Sequence, residues 1–256
     1  MAGDLQDRVA VVTAAASGMG RETTLRFAEQ GARVVAIDID ADAGAALLDD
    51  VKAAGGEAEF LTVDLTDLSQ IEEAVRTIEA KHGRIDVLFN HAGAPGPRGF
   101  DFDADVWDFQ VALNLRAPVF LTKLALPLMG EGGSIIFTAS VSAVIASRNS
   151  PVYSALKAGV VGYMRAIAAI GGPNGIRANA VLPGAVETPM LEKFFAAPGE
   201  SQAVLEERLV SFRQAVPMGR TCRPEEVAEL VTFLAGDRSS FITGVAIPID
   251  GGYVAL

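Results

Sequence analysis

The sequence predicts an α/β fold: a Rossmann-like, doubly wound sandwich of three layers around a seven-stranded parallel sheet. Short β-rich apolar runs alternate with longer segments of helical periodicity along all 256 residues. Runs such as 87–89 and 135–137 are apolar at every position, which is typical of parallel strands buried on both faces. A glycine-containing turn joins the first strand to a helix, as expected for the first half of a βαβ unit.

Seven strands are predicted, and each is short. They comprise residues 8–13, 33–38, 58–64, 87–90, 134–139, 177–182 and 245–249. Between them, residues 68–81 carry apolar side chains at helical spacing, and Pro224 stands in the first turn of another helix, where proline is favoured. Pro118 falls inside the helical segment 105–129 but lacks the amide hydrogen that a helix needs. We therefore expect a kink or a local irregularity near Pro118.

Composition and length limit the possible classes of protein. Residues 1–256 suit one α/β domain, and no low-complexity linker divides them. The 21 Lys and Arg residues against 32 Asp and Glu give a net charge of -11, which opposes nucleic acid and anionic membranes as partners. The single cysteine, Cys222, cannot form an internal disulfide, and the acidic N-terminus is unlike a signal peptide. No apolar run approaches the ~20 residues of a membrane span, so we expect a cytoplasmic protein.

The turn after the first strand is a candidate nucleotide-binding loop. Residues 13–20 read Thr-Ala-Ala-Ala-Ser-Gly-Met-Gly, and a helix follows. Glycines let the backbone approach a pyrophosphate closely, and a helix N-terminus offers free amide groups to an anion. Ser17, Gly18, Met19 and Gly20 are the candidate contacts. The alternative is an ordinary strand-to-helix turn.

A carboxylate at the end of the second strand indicates the choice of cofactor. Asp38 stands twenty residues after Gly18, the distance expected for a residue that contacts the ribose of a dinucleotide. A carboxylate accepts hydrogen bonds from the ribose hydroxyls of NAD but repels the 2'-phosphate of NADP, and neither Ser17 nor Ile39 supplies a compensating cation. NAD is the predicted cofactor. The alternative is a solvated aspartate at a strand end.

Three side chains form a candidate catalytic group. Tyr153 and Lys157 are one helical turn apart, so they share a helix face, and Ser140 lies thirteen residues before Tyr153. A free tyrosine titrates near pH ~10, and a nearby ammonium favours its phenolate form. A phenol, an ammonium and a hydroxyl around one carbonyl oxygen suit the interconversion of alcohol and ketone. The alternative is an amphipathic tyrosine beside a solvated lysine.

The order of these motifs resembles that of the short-chain dehydrogenase/reductase family over nearly the whole chain. The resemblance is carried by residues 13–20, Asp64, the Asn-His-Ala-Gly segment 90–93, Asn114, Ser140, 153–157 and Pro183-Gly184. It implies that Asp64 and Leu65 meet the adenine, that Asn90, Ala92 and Gly93 line the cofactor, and that Pro183, Gly184, Val186 and Thr188 touch the nicotinamide and its phosphates. By the same resemblance Asn114 holds a water in a proton relay to Lys157, while Ser140, Tyr153 and Lys157 are catalytic.

Three features depart from the family pattern: Ala14, His91 and the segment 170–173, which lacks the acidic residue expected at the helix end. Ala14 stands where the family usually has glycine, and its methyl group is harmless only if that residue is not left-handed. His91 replaces the usual second asparagine. We favour a packing role for His91 over an altered buried hydrogen bond.

The insertion at about 188–218 is expected to face the substrate. It mixes apolar residues, including Phe194 and Phe195, with charges and a Pro198-Gly199 break, which predicts an amphipathic lid over a hydrophobic substrate. The alternative is a segment that packs only on its own domain. Arg148 and Asn149, just before the Tyr153 helix, are candidate contacts for a polar substrate group; the alternative is a solvated arginine.

The predicted function is NAD-dependent interconversion of a small-molecule secondary alcohol and a ketone, with Tyr153 as general acid/base and no metal. A 3-oxoacyl-carrier reductase is the first alternative, although Asp38 and the acidic composition oppose its expected NADP and basic docking surface. A catalytically silent NAD sensor is the second, opposed by the intact catalytic positions. The family resemblance implies a homotetramer built through the helices at 105–129 and 152–170.

Overall fold

The fold is a seven-stranded parallel sheet between two layers of helices, in a computed structural model that describes residues 3–145, 147, 149–195 and 200–255. The strands lie in the order β3-β2-β1-β4-β5-β6-β7. Their bounds are Val9–Thr13 (β1), Arg33–Asp38 (β2), Glu57–Thr62 (β3), Val87–Asn90 (β4), Ser134–Thr138 (β5), Arg177–Pro183 (β6) and Ala246–Ile249 (β7). This architecture confirms the predicted fold class.

The helices cover both faces of the sheet. They are Gly18–Glu29 (α1), Ala41–Ala53 (α2), Leu68–His82 (α3), Ala104–Val111 (α4), Ala117–Ala125 (α5), Pro151–Gly171 (α6), Pro189–Phe195 (α7), Gln202–Ala215 (α8) and Pro224–Ala235 (α9). Buried side chains of α1, α2 and α9 belong to the core on one face, and those of α3, α5 and α6 to the core on the other. The sheet is therefore doubly wound.

The alternation of side chains in β1 shows why the strands are apolar throughout. Val9 and Val11 pack into the core beneath α3, α5 and α6, whereas Ala10 and Val12 pack into the core beneath α1 and α9. A strand buried on both faces has no polar face, so the sequence shows a continuous apolar run. Polar chemistry is thereby confined to the ends of the strands.

The predicted strand bounds hold to within two residues. The largest difference is at β3, which ends at Thr62 and not at residue 64 as predicted. The chain then turns, because the Asp64 carboxylate accepts hydrogen bonds from the amide and the hydroxyl of Thr66, at 2.8 and 2.7 Å. This local turn competes with continued strand pairing.

The irregularity expected near Pro118 is a π-helical turn. Residues Ala112–Arg116 form this turn between α4 and α5, and the Ala117 amide donates to the carbonyl of Ala112, five residues earlier. Pro118 has no amide hydrogen for the Asn114 carbonyl, so a regular α-helix would lose a bond there. Such turns are often found at functional sites, and this one contains Asn114.

The segment Ala104–Leu128 is long and apolar enough to cross a membrane by length and composition, the one such helix among the described residues. This corrects the sequence-based statement that no apolar run approaches that length. The segment lies in a helical layer of the sandwich, with Leu121 and Ala125 in the core and Asn114 buried, whereas Trp107 and Phe109 are exposed. Length and composition alone also select core helices of this kind.

Ala14 is left-handed, with φ of 51°. It is one of two described non-glycine residues with positive φ, and it lies in the turn between β1 and α1. Its carbonyl packs against Gly20 so closely that a Cβ on Gly20 would lie 2.0 Å from the Ala14 oxygen. The turn therefore needs glycine at residue 20, and at residue 14 it accepts a methyl group in a conformation that favours glycine.

We expect Ala14→Gly to stabilise the protein by about 0.5–1 kcal/mol. A left-handed backbone destabilises a residue with a Cβ by about 1–2 kcal/mol, and glycine removes this cost. Glycine also raises the entropy of the unfolded chain, which offsets about 0.4–1 kcal/mol of the gain. Urea unfolding monitored by circular dichroism measures the difference. The control is Ala80→Gly on the exposed face of α3, where the same change should destabilise by about 1 kcal/mol. A destabilised Ala14→Gly variant would contradict the interpretation of strain.

Candidate active site

The carboxyl ends of the parallel strands meet at one edge of the sheet, and a cavity of about 870 Å³ opens there. The strand order reverses direction between β1 and β4, so the loops that follow these two strands diverge and leave a crevice between them. Nine of the residues predicted from the sequence line the cavity: Met19, Gly93, Ser140, Tyr153, Lys157, Pro183, Gly184, Val186 and Thr188.

The other predicted residues do not line this cavity. Ser17, Gly18 and Gly20 form the turn and first residues of α1, and a Cβ on Gly18 would lie 3.1 Å from the Thr188 side chain. The remaining ones follow the strands or lie behind the cavity: Asp38, Ile39, Asp64, Leu65, Asn90, Ala92 and Asn114. The structure thus brings the candidate catalytic group and the predicted nicotinamide segment into one cavity and leaves the predicted adenine and ribose residues beside it.

The loop between β1 and α1 fits a dinucleotide phosphate. Gly18 has φ of 52°, which glycine adopts without strain, and its lack of a side chain keeps Thr188 in place. The Ser17 side chain makes no capping hydrogen bond to α1. The first amide groups of this helix therefore have no capping acceptor from Ser17, which leaves them free for an anion.

The Asp38 carboxylate lies at the end of β2 beside that loop. Its Oδ2 accepts from the Ala16 amide at 2.9 Å, and its Oδ1 accepts from the Ile39 and Asp40 amides at 2.7 and 3.2 Å. These bonds tie the carboxylate to the turn before α1. Oδ2 therefore keeps one lone pair that can accept a ribose hydroxyl, whereas both lone pairs of Oδ1 already accept backbone amides. The Ile39 side chain is exposed.

The side chain of Asn90 has a structural role. The amide donates to the Thr122 hydroxyl at 3.1 Å and is buried against α5, so only the backbone of Asn90 faces the crevice. A residue outside the predicted set holds the next turn: the Thr13 hydroxyl accepts from the amides of His91 and Ala92, at 2.9 and 3.0 Å. A threonine at the end of the central strand was the sequence signal for this contact.

Tyr153 and Lys157 enter the cavity from the first turns of α6, and both are buried. The Lys157 Nζ lies 5.5 Å from the centre of the Tyr153 ring and donates to the Thr138 carbonyl at 3.0 Å. Burial raises the pKa of Tyr153, and the Ser140 hydroxyl partly opposes this shift. Burial also lowers the pKa of Lys157 to about 8. Thr138 precedes Ser140 by two residues, but the sequence did not single it out.

Asn114 is fixed in the π-helical turn behind the catalytic group. It is 1% exposed, and its side chain exchanges hydrogen bonds with the backbone of Ala94 and donates to Gln110 at 2.9 Å. A Cβ on Gly93 would lie 2.8 Å from Asn114 Oδ1 and 3.2 Å from Lys157 Nζ. Glycine at residue 93 therefore lets these two polar groups face each other across a narrow space.

His91 both packs and forms a hydrogen bond. Its ring stacks on Phe89 at 5.1 Å, and Nδ1 lies 2.9 Å from the Thr138 hydroxyl. Burial, with the Lys157 charge as the second cause, lowers the pKa of His91 to about 3. His91 is therefore a neutral imidazole that packs and also forms a buried hydrogen bond, whereas the sequence analysis favoured packing alone.

The predicted lid region contributes aromatic side chains to the cavity. The Phe194 ring lies 5.2 Å from the Tyr153 ring, edge to face, and Phe195 lies 5.3 Å from Phe212. In contrast, Leu205 and Leu209 of α8 are buried in the protein itself. Part of the described segment therefore lines the cavity, and part packs on the protein itself; its action as a lid stays a prediction. Arg148 and the Pro198-Gly199 break lie outside the described residues, whereas Asn149 lines the cavity.

Comparisons with known proteins agree with this arrangement. A family model described as "Enoyl-(Acyl carrier protein) reductase" matches residues 13–254. The 2-keto-3-deoxy-L-fuconate dehydrogenase of Xanthomonas campestris is 40% identical over 254 residues, which is 97% of this chain and 81% of that protein. The 3-oxoacyl-[acyl-carrier-protein] reductase of Thermotoga maritima is 37% identical over 253 residues, 98% of this chain and 99% of that protein.

Solved structures show the same fold. A short-chain dehydrogenase/reductase from Burkholderia xenovorans superimposes with a TM-score of 0.93 at 36% identity, over 100% of this chain and 99% of that one. The similarity covers the strands, the crevice and the lid region alike.

The buried ammonium of Lys157 should make the stability of the cofactor-free protein depend on pH. Since the pKa is lowered from 10.5 to about 8, the unfolded chain binds more protons between these values, and stability rises with pH across that window. Relative to Lys157→Met, the wild type should gain about 2 kcal/mol between about pH 7 and about pH 10.

Urea unfolding of both proteins at each pH measures this gain. Lys52→Met, which alters an exposed lysine of α2, is the matched control and should follow the wild-type profile. Parallel profiles for the wild type and Lys157→Met would show that Lys157 is not a buried cation.

Proposed function

This chain belongs to the short-chain dehydrogenase/reductase family, and from that premise we propose that it interconverts a secondary alcohol and a ketone with NAD, using Tyr153 as the general acid/base. The carrying observation is that the Tyr153 phenol, the Ser140 hydroxyl and Lys157 share one cavity wall. The Xanthomonas relative is named as a dehydrogenase of a small hydroxylated acid, which supports a small-molecule substrate.

A bound nicotinamide would accept or supply the hydride, and the protein would supply position and proton transfer. The α1 N-terminus would hold the pyrophosphate, and Asp38 the adenosine ribose. The nicotinamide end would be held by Pro183, Gly184, Val186 and Thr188, because they line the same cavity as Tyr153 and Lys157.

Proton transfer in this proposal takes place at the Tyr153 oxygen. In oxidation the phenolate takes the alcohol proton, and in reduction the phenol gives it to the ketone oxygen. Ser140 donates a hydrogen bond to that same oxygen. Burial raises the pKa of Tyr153 in the cofactor-free protein, so the positive charge of Lys157, and that of a bound nicotinamide, are needed to favour the phenolate. Asn114 would hold a water between its own position and Lys157.

A second candidate function is the reduction of 3-oxoacyl thioesters, which the Thermotoga relative favours. Two features of this chain oppose it. The net charge of -11 disfavours docking of an acidic carrier protein, and Asp38 disfavours NADP. We therefore rank it below the small-molecule reaction.

We also propose a cytoplasmic homotetramer, without nucleic acid or membrane as a partner. Exposed apolar side chains on α4 support self-association: Val106, Trp107 and Phe109 are 38–47% exposed. Light scattering should give about four times the chain mass of 26.7 kDa. A monomer would contradict the tetramer without affecting the proposed chemistry.

Tyr153→Phe should lower kcat by about 100-fold or more, because general acid/base catalysis contributes about 10²–10⁴-fold. The measurement is a panel of secondary alcohols and ketones, including a 3-oxoacyl thioester, followed by nicotinamide absorbance with NAD and NADP. The matched control is Tyr163→Phe on the same helix, whose hydroxyl donates to the Val119 carbonyl outside the cavity. Full activity of Tyr153→Phe would exclude the proposed mechanism.

Asp38→Asn should shift the cofactor preference toward NADP by about 10-fold or more in the ratio of kcat/KM values. The amide removes the charge that repels a 2'-phosphate but keeps an oxygen acceptor for the neighbouring amides. Asp40→Asn, which alters the N-cap of α2, is the control. A wild-type enzyme that prefers NADP would refute the role assigned to Asp38.

A further inference from the structure

Arg98 is a basic residue of the cavity wall that has no acidic partner in the described part of the chain. Its side chain is half-buried and lines the cavity, and among the described residues no carboxylate oxygen lies within 4.0 Å of its nitrogens. The other arginine of the wall, Arg208, is paired with Glu200. Glu207 also lines the cavity, but it is exposed and forms no ion pair with either arginine in the described part of the chain.

The backbone that precedes Arg98 is held firmly against the catalytic helix. Pro95 accepts a hydrogen bond from Gln110 at 3.0 Å, and a Cβ on Gly96 would lie 2.8 Å from Tyr153 Cβ. The Gly99 amide donates to the Asn149 carbonyl at 3.0 Å. Arg98 therefore starts from a fixed position next to Tyr153.

The guanidinium is oriented by the lid. Its Nη2 donates to the carbonyls of Phe194 and Phe195, at 3.0 and 2.8 Å. Arg208 donates to the same Phe195 carbonyl at 2.8 Å. The Nε and Nη1 groups of Arg98 have no acceptor among the described residues, so their N–H groups can donate to a bound substrate. Phe194 thus connects the two groups: its carbonyl accepts from Arg98, and its ring packs on Tyr153.

We propose that Arg98 binds a carboxylate carried by the substrate, which makes the substrate a hydroxy acid or keto acid. A half-buried guanidinium with no carboxylate partner among the described residues is costly in a partly apolar cavity, and a substrate carboxylate would supply the opposite charge and accept a hydrogen bond from Nε or Nη1. The inference rests on the proposed function and specifies its substrate class. The competing role is a purely structural one, in which Arg98 only holds the carbonyls at the end of α7.

A paired substrate panel tests the proposal. Short open-chain and cyclic secondary hydroxy acids are each compared with the primary amide of the same acid, which keeps the shape and removes the charge. The wild type should favour acids over amides by about 10-fold or more in kcat/KM, mainly through KM. Arg98→Gln should lower kcat/KM for acids at least about 10-fold more than for amides, and Arg98→Lys should lie between the two.

Arg213→Gln is the matched control, because Arg213 lies on α8, pairs with Glu206 and does not line the cavity. It should keep the wild-type preference for acids. Equal losses for acids and amides in Arg98→Gln would establish the structural role and overturn the proposal. Turnover that depends on Tyr153 but is limited to uncharged alcohols would also overturn it while leaving the proposed function intact. No Tyr153-dependent turnover on any substrate would reject the proposed function itself.

Discussion

Burial of both faces of a parallel sheet is the constraint on which the rest of the structure depends. Strands such as β1 divide their side chains between two apolar cores, so they have no face left for chemistry. Polar groups are displaced to the strand ends, and parallel direction places those ends at one edge. Thr13, Asp38 and Ser140 lie at that edge for this reason, although they are far apart in the chain. The cavity is a consequence of the way the core is packed.

The fold was predictable because apolar runs and helical spacing are local properties of the sequence. The site was predictable in composition, since nine predicted residues line the cavity, but not in its contacts. Lys157 shares a helix face with Tyr153, yet its ammonium bonds the Thr138 carbonyl, because a neighbouring strand decides which acceptor is nearest. Asn90 turns its amide away toward Thr122 for the same kind of reason. Residue type and spacing cannot encode such choices between neighbouring acceptors.

The pKa shifts in the cavity follow from the burial of its titratable groups. Burial lowers the pKa of Lys157 and of His91 and raises that of Tyr153, so each group is pushed toward its neutral form in the cofactor-free protein. The catalytic group is thus sensitive to any charge that enters the cavity. Arg98 is buried less deeply at the same wall, so in the proposed reaction the group that would bind the substrate is distinct from the group that would transfer the proton.

The π-helical turn at Ala112–Arg116 links two surfaces that are otherwise distant. A π turn holds one more residue than the α-helical turn it replaces, so deleting a single residue before Asn114 would remove the extra residue, although Pro118 would still leave one carbonyl without its helical donor. The deletion would rotate α4 by about 100° relative to α5. Trp107 and Phe109 would then leave the outer surface where they now lie. The chain length between α4 and Asn114 is therefore fixed by two requirements at once, one at the site and one on the outside of the molecule.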